Sequence, residues 1–267
     1  MLDLDPIAVL LVSLILVAIA VGVSAFLRLG FERSIIWASV RATVQLTLVG
    51  ALLAFVLSST WDRVLAPLWI VTMVVIAAYV VSRRARSHRV FPAALLSVGG
   101  SMLVALAVVF GFGVLPLEPI QFIVIAGITI GNALPATVVA ADQVTRKMAE
   151  DRHQVEGLLS LGFMARDAAR FIVREATRVS LLPQIERTKV VGLVALPGAM
   201  VGLLIAGVDP IDAVIIQLVV MFLVLGTVAI SSTTVAIVTA RQAFTSDQRL
   251  KQMSDGRPPF RGDKRTQ

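Results

Sequence analysis

Long apolar runs dominate this chain, and each of them is long enough to cross a lipid bilayer. About 20 consecutive apolar residues span the roughly 30 Å hydrocarbon core, and helices satisfy all their backbone groups within it. We therefore predict an all-α, polytopic membrane helical bundle with seven transmembrane helices in one domain, 1–244. The spans are expected at about 6–27, 35–57, 64–82, 91–114, 119–141, 188–208 and 211–240.

Composition supports a membrane protein and limits its chemistry. Of 267 residues, 57% are hydrophobic and 15% are charged, whereas soluble domains are about 45–50% apolar and 25% charged. There is no cysteine, so thiolate metal sites and disulfides are excluded. Because the chain has only two histidines, carboxylates would have to supply most ligands of any metal site. The sequence does not identify such ligands. The run 6–27 is too long for a signal peptide and follows acidic residues.

The basic residues are distributed so unevenly that they predict an orientation. Of the 24 Lys and Arg residues, all except Arg41 and Arg63 fall on one side of the predicted bundle. Because positive loops stay in the cytoplasm, the N-terminus is expected outside and the C-terminus inside, in a multi-pass protein of the cytoplasmic (inner) membrane. The net charge of +7 then faces anionic lipid, and no nucleic acid is expected as a partner. The polar stretch 245–267 is predicted to be a disordered basic cytoplasmic tail.

A long amphipathic segment, 142–187, is predicted in the cytoplasm between the fifth and sixth spans. Helical spacing puts Arg166, Arg170, Arg174 and Arg178 on one face. The opposite face carries Ala168, Ala169, Ile172, Ala176 and Val179. We expect one helix, a break near Gly162 and a second helix up to Pro183. The segment lies in the lipid headgroups or docks on a cytoplasmic protein, and its interspersed acids favour docking.

Few polar residues interrupt the spans, and these are candidates for a translocation pathway. Arg41 and Gln45 share a face of the second span. A charge at mid-span costs about 2.5–3.5 kcal/mol, so Arg41 either faces a pathway or snorkels to the headgroups. Asn132 precedes Pro135, which is expected to bend the fifth span, and it either meets a solute or joins two helices. Gln217 on the last span is the fourth candidate for the pathway.

No motif of a catalytic site is present. The P-loop pattern G-x-x-x-x-G-K-[ST] is absent from the sequence, as are G-x-S-x-G and H-E-x-x-H. We therefore predict no catalytic residue, no cofactor bound by this chain and no enzymatic activity. A self-contained secondary transporter or channel for a small, anionic solute is an alternative, although a proton-coupled transporter needs an intramembrane acid. A membrane scaffold that transports nothing is a third possibility.

Several segments resemble known permeases. Glu156, Gly162 and Ile172 resemble the E-A-A-x-x-x-G…I loop of ABC-transporter permeases, which seats in a groove of the ATPase. Over nearly the whole chain, four segments in order are similar to the FetB-type ABC permeases, proposed iron exporters with relatives among plant aluminium-tolerance proteins. These segments are ASVRATVQL at 38–46, GNA at 131–133, VGLVALPG at 191–198 and AGVDP at 206–210.

The resemblance implies a permease subunit that works as a homodimer with two copies of a separate cytoplasmic ATPase. ATP would bind to that partner subunit. Glu156, Gly162, Arg166 and Arg170 are the residues expected to dock the ATPase. The family implies export of iron or another metal, whereas the residues show an intramembrane positive charge and no mid-span carboxylate. Physically, that combination suits an anionic, chelated or organic solute better than a naked cation.

Overall fold

The computed structural model describes residues 6–59, 61–85, 90–245 and 247–251. Helices account for its regular structure there, apart from two isolated bridges. The helices are α1 (Pro6–Phe26), α2 (Glu32–Ser58), α3 (Asp62–Arg84), α4 (Phe91–Gly111), α5 (Pro119–Glu150), α6 (Arg152–Ser160), α7 (Ala165–Ala168), α8 (Arg170–Val190), α9 (Gly198–Ile205) and α10 (Pro210–Gln242).

The all-α membrane bundle predicted from the sequence is confirmed. Among the described residues, five helices are long and apolar enough to cross a membrane: α2, α3, α4, α5 and α10. A shorter apolar stretch, Val12–Phe26, lies in α1. The predicted span 188–208 is different, because it is not one helix. It comprises the end of α8, an irregular stretch at 191–197 and the eight residues of α9, which are only about 12 Å long.

The interruption at 191–197 has a local cause. Gly192 adopts φ +85°, which breaks the helical path, and its N–H donates to the Ala195 carbonyl at 3.0 Å. Pro197 then precedes α9 in an extended conformation, with ψ 141°. The sequence predicted only a kink at Pro197 and Gly198. The structure shows a complete break that begins at Val191, because a positive φ cannot continue a right-handed helix.

The chain divides into two compact units, Met1–Asp62 and Arg63–Gln267. In the first unit, α1 packs against α2. The Ser24 hydroxyl donates to the Glu32 carboxylate at 2.8 Å and accepts from the Phe31 N–H at 3.2 Å. These bonds hold the short connection between the two helices and lower the number of unpaired polar groups at their ends.

Helices α5 and α10 form the centre of the second unit. They run parallel, since Ala133 packs with Val228 and Thr137 meets Ser231 one turn further along both helices. The Thr137 and Ser231 hydroxyl oxygens are 2.7 Å apart and buried. Helices α3, α4 and α8 pack around this pair. Small residues at the contacts allow the helices to approach closely.

Helix α8 runs back along α5 in the opposite direction. Ile172 near its start packs with Met148 at the end of α5, whereas Leu181 packs against Ala133 in the apolar part of α5. The predicted coupling segment 142–187 therefore does not end where a sixth span begins. Its last turns lie beside the fifth span, and α8 continues through Pro183 to Val190 instead of ending at Pro183 as predicted.

Two further segments differ in length from their predictions. Helix α5 continues through Pro135 to Glu150, roughly 13 Å beyond the predicted end of the span at 141. The beginning of the predicted disordered tail is ordered: the Thr245 N–H donates to the Arg249 carbonyl and the Lys251 N–H to the Ala243 carbonyl, both at 2.8 Å. We call residues 243–245 and 247–251 the C-terminal turn. The rest of the predicted tail, 252–267, lies outside the described residues.

Candidate functional site

A cavity of about 190 Å³ lies at the end of α8, between α5 and α10. Its polar lining consists of Asn132, Gln184, Arg187, Thr188 and Gln217, and we call it the polar cavity. It thus brings together two residues that the sequence placed in the pathway, Asn132 and Gln217, from different helices. A neighbouring cavity of about 370 Å³ shares Asn132, Gln184 and Arg187 with it. The role of Asn132 and Gln217 in transport stays a prediction.

Two polar groups of this cavity have no partner among the described residues. The Asn132 amide donates to the Ile128 carbonyl at 2.8 Å. Gln217 Oε1 is buried and accepts no hydrogen bond from any residue in the described ranges. Arg187 is exposed and forms no ion pair with a described residue, and the adjacent Glu186 bonds to Lys189 at 2.8 Å. A buried polar atom without a partner is costly, so Gln217 marks the cavity as a candidate solute site.

Sequence analysis missed three of the five residues, namely Gln184, Arg187 and Thr188. Gln184 and Arg187 lay in the segment predicted to be cytoplasmic, and Thr188 was the first residue of the predicted sixth span, so their polarity needed no explanation there. One signal was available. The three residues share a helix face by i, i+3 and i+4 spacing, and they directly precede the helix-breaking Gly192 and Pro197. An interrupted apolar segment is itself a pointer to a binding site.

Arg41 and Gln45 lie on α2 in the first unit, one helical turn apart. Both side chains are exposed. They share a face as predicted, and their place in a pathway stays a prediction.

The turn between α6 and α7, residues 161–164, forms the second candidate site, and we call it the docking loop. Gly162 adopts φ +89° there, and the Phe163 N–H donates to the Leu158 carbonyl at 3.1 Å. The predicted break at Gly162 is confirmed. A side chain at this position would meet no neighbour within 4 Å, so glycine is favoured by the backbone angle and not by crowding.

The docking loop presents large apolar side chains to the surroundings. Leu161 is 76% exposed, Phe163 51% and Met164 66%. Neighbouring exposed apolar residues of this size typically mark an interaction surface. The sequence analysis considered only Gly162 here, although the apolar run Leu-Gly-Phe-Met between charged helices was visible in the sequence.

A groove of about 580 Å³ lies between the beginning of α8 and the end of α10, and we call it the arginine groove. Its charged lining consists of Arg166 and Asp167 of α7, Arg170 of α8 and Arg241 of α10, so three arginines face one carboxylate. Its apolar lining includes Val173 and Phe244. All three arginines are exposed, and within the described ranges none of them forms an ion pair. The groove therefore combines positive charge with an apolar floor, which suits an acidic protein surface.

The amphipathic pattern of the segment is confirmed over most of its length. Ala168 and Ile172 are fully buried, and Ala176 is 1% exposed. Val179 is instead 36% exposed and Ser180 is buried, because the contact follows spacings of four along α8. Since α5 and α10 cover this apolar face, it is not available to insert into lipid. The packing therefore disfavours a helix that lies in the headgroup plane.

Glu156 lies apart from the arginine groove. Its carboxylate accepts a hydrogen bond from Arg152 Nε at 2.7 Å within α6. It lines a different groove, of about 520 Å³, which includes Gln248 and Leu250 of the C-terminal turn. Gln248 Oε1 accepts the Ala165 N–H at 3.1 Å. The C-terminal turn therefore holds the start of α7 and, through it, one end of the docking loop.

We expect Gln248→Ala to loosen the docking loop. The Ala165 N–H loses its acceptor, which costs about 0.5–1.5 kcal/mol for an ordinary hydrogen bond. Amide hydrogen exchange over 161–168 should become roughly 2- to 13-fold faster, since each 1.4 kcal/mol corresponds to about a factor of ten. Gln154→Ala, an exposed glutamine on α6, is the control. Equal exchange rates in the two variants would show that the C-terminal turn does not hold the loop.

The long apolar helices of this chain define a multi-pass helical membrane protein. The chain belongs to the uncharacterised protein family UPF0014, which it matches over residues 7–244. It is 31% identical over 242 residues to "Probable iron export permease protein FetB" of Escherichia coli (strain K12), covering 90% of this chain and 93% of that one.

Two plant relatives support the same family. The chain is 36% identical to "UPF0014 membrane protein STAR2" of Oryza sativa subsp. japonica, over 81% of this chain and 76% of the relative. It is 32% identical to "Protein ALUMINUM SENSITIVE 3" of Arabidopsis thaliana, over 90% and 88%. No solved structure matches the chain. The resemblance to FetB-type permeases drawn from the sequence is thus confirmed.

Proposed function

We propose that this chain is the permease subunit of an ABC exporter, driven by a separate cytoplasmic ATPase. One observation carries the proposal: two helices that line the arginine groove also line the polar cavity. α8 and α10 contribute to both sites, one at each end. A protein that binds at the groove therefore acts directly on the helices around the cavity.

Helix α8 supplies a mechanical connection. It extends for about 26 Å from Arg170 at the groove to Arg187 at the cavity. Ile172 and Ala176 fix it against α5 and α10. When the ATPase closes on ATP, a displacement at the docking loop would tilt or slide α8 as a packed element and change access to the cavity.

A second copy of the chain completes the pathway in this proposal. Leu193 is 89% exposed and Val194 83%, both in the irregular stretch beside the apolar helices. Irregular backbone at membrane depth is tolerated where protein or a water-filled space covers it, but not against lipid. The exposed ion pair of Glu186 and Lys189 lies on the same part of α8. A homodimer with a central aqueous pathway would cover the irregular stretch and would leave the ion pair in water.

The charge distribution and the relatives support the remaining parts of the proposal. The docking loop lies on the side with most of the basic residues, which supports a location in the cytoplasm, where ATP is, in a protein of the inner membrane. The printed name of FetB supports export of iron. Among the described residues, no group of three or more His, Asp or Glu could hold a metal ion. A metal would accordingly be carried as a complex with other ligands.

Reconstitution tests the proposed function. The permease is placed in proteoliposomes with a candidate ABC ATPase of the same organism, and ATP-dependent movement of iron, supplied as iron citrate, is measured. A partner whose P-loop lysine is replaced serves as the control. We expect a stable complex and transport that is lost with the control ATPase. Transport without any ATPase would favour a self-contained transporter, and a permease that binds no such ATPase would overturn the proposal.

A further inference from the structure

The polar cavity has the charge of an anion site. Its lining includes the Arg187 guanidinium and the side-chain amides of Asn132, Gln184 and Gln217, and it includes no carboxylate. Arg187 has no ion-pair partner among the described residues. An unpaired guanidinium matches a carboxylate or another planar oxyanion through paired N–H donors. A bare cation would meet the arginine's repulsion without a compensating acid.

Gln217 adds a second requirement for the molecule that binds in the cavity. Its Oε1 atom is buried and has no donor among the described side chains and backbone groups. A buried acceptor left without a partner costs about 1–3 kcal/mol, so a bound molecule that supplies a donor is favoured. A hydroxyl group satisfies this need, whereas a simple halide does not.

The cavity also lies where the chain interrupts a helix. Val191, Pro197 and Gly198 line it, so the break between α8 and α9 forms part of its wall. In membrane proteins, irregular backbone at this depth exposes free N–H and C=O groups to a solute. Its volume of about 190 Å³ is below the roughly 300–1,000 Å³ of cavities that hold drug-sized ligands. The occupant is therefore small.

We infer that the polar cavity binds a small hydroxycarboxylate, whose carboxylate pairs with Arg187 and whose hydroxyl group donates to Gln217. The anion binds either alone or as the shell of a chelated metal. In the chelate the hydroxyl oxygen is a metal ligand, so a free carboxylate still pairs with Arg187 and a metal-bound water donates to Gln217 instead. The inference names a solute class for the proposed permease and so rests on that function. It also agrees with two observations together: the cavity has no acidic side chain, and one relative is named for iron export.

Calorimetric titration of the purified full chain in neutral detergent, without ATPase, tests the site. The probes are citrate, iron(III) citrate and inorganic phosphate. We expect saturable citrate binding that Arg187→Gln weakens about 10- to 100-fold, as for loss of a charge-assisted hydrogen bond. Arg187→Lys should retain part of the affinity. Arg178→Gln, an exposed arginine of the same helix that lines neither cavity, should bind like the unaltered chain.

The outcomes separate the possible sources of the anion. Tighter binding of iron(III) citrate than of citrate identifies the chelate, and the reverse identifies the free acid. Citrate binding that phosphatidylglycerol vesicles abolish would assign the site to a lipid headgroup and overturn the inference. Equal affinity in Arg187→Gln and the unaltered chain, or no saturable binding, would overturn it as well. Since no ATPase is present, none of these results depends on ATP-driven transport.

Discussion

Reversing two charges of the arginine groove, R166E with R170E, is expected to abolish capture of the ATPase by the permease. Both arginines line the groove, and neither has an ion-pair partner among the described residues. Their replacement exchanges attraction for repulsion toward an acidic partner surface. Disrupting charged pairs at a protein interface costs about 2–5 kcal/mol, which corresponds to roughly 30- to 5,000-fold in affinity.

The measurement is co-purification of the ATPase with the permease variant, followed by its ATP hydrolysis rate. R174E with R178E is a matched control, because it makes the same charge change on the following turns of α8, outside the arginine groove. We expect the control to retain most of the assembly. Retained assembly and stimulated hydrolysis in R166E/R170E would place the docking surface elsewhere. Both pairs are exposed, so the permease itself should remain folded.

Replacing Ile172 with Asp is expected to have the largest effect on the fold. Ile172 is completely buried, where α8 packs against α5 and α10. Its loss removes apolar contacts worth about 2–5 kcal/mol. The new carboxylate would also lack a partner in an apolar contact, which adds a further cost or forces its protonation. The helix should therefore detach from the bundle, and the docking loop should move with it.

Thermal unfolding in detergent and limited proteolysis within 165–190 would measure this detachment. Ile172→Val is the control and should cost about 0.5–1.5 kcal/mol. We expect Ile172→Asp to be cleaved much faster within α8, while the helices that cross the membrane remain protected. Unchanged melting and cleavage in Ile172→Asp would contradict the packing of α8 on the bundle.

Much of the fold was predictable because apolar length and charge asymmetry act locally along the chain. The runs that became α2, α3, α4, α5 and α10 satisfy the length of a bilayer wherever they pack. The break at Gly162 was predictable for a similar reason, since glycine readily takes the positive φ that ends a helix there. The charged face of α8 followed from helical spacing alone.

The polar cavity was only half predictable. Asn132 and Gln217 stood out because polar side chains are costly within apolar spans. Arg187 did not stand out, because it lies in a charged stretch. The sequence offers no sign that the last turns of this stretch lie beside a membrane helix. The exposed residues of the docking loop were missed for a different reason. The burial of a side chain depends on which other elements pack against it, and none of the described helices covers Phe163.

The sequence by itself determined that this chain is a bundle of membrane helices with one positive side and one long amphipathic segment. These properties follow from hydrophobic length, charge and helical period, which need no knowledge of neighbours. Only the tertiary structure decided that α8 folds back along α5, that it ends at Val190, and that Arg187 lines one cavity with Asn132 and Gln217. Those contacts join residues far apart in the chain, and their free energy depends on packing that no local pattern records.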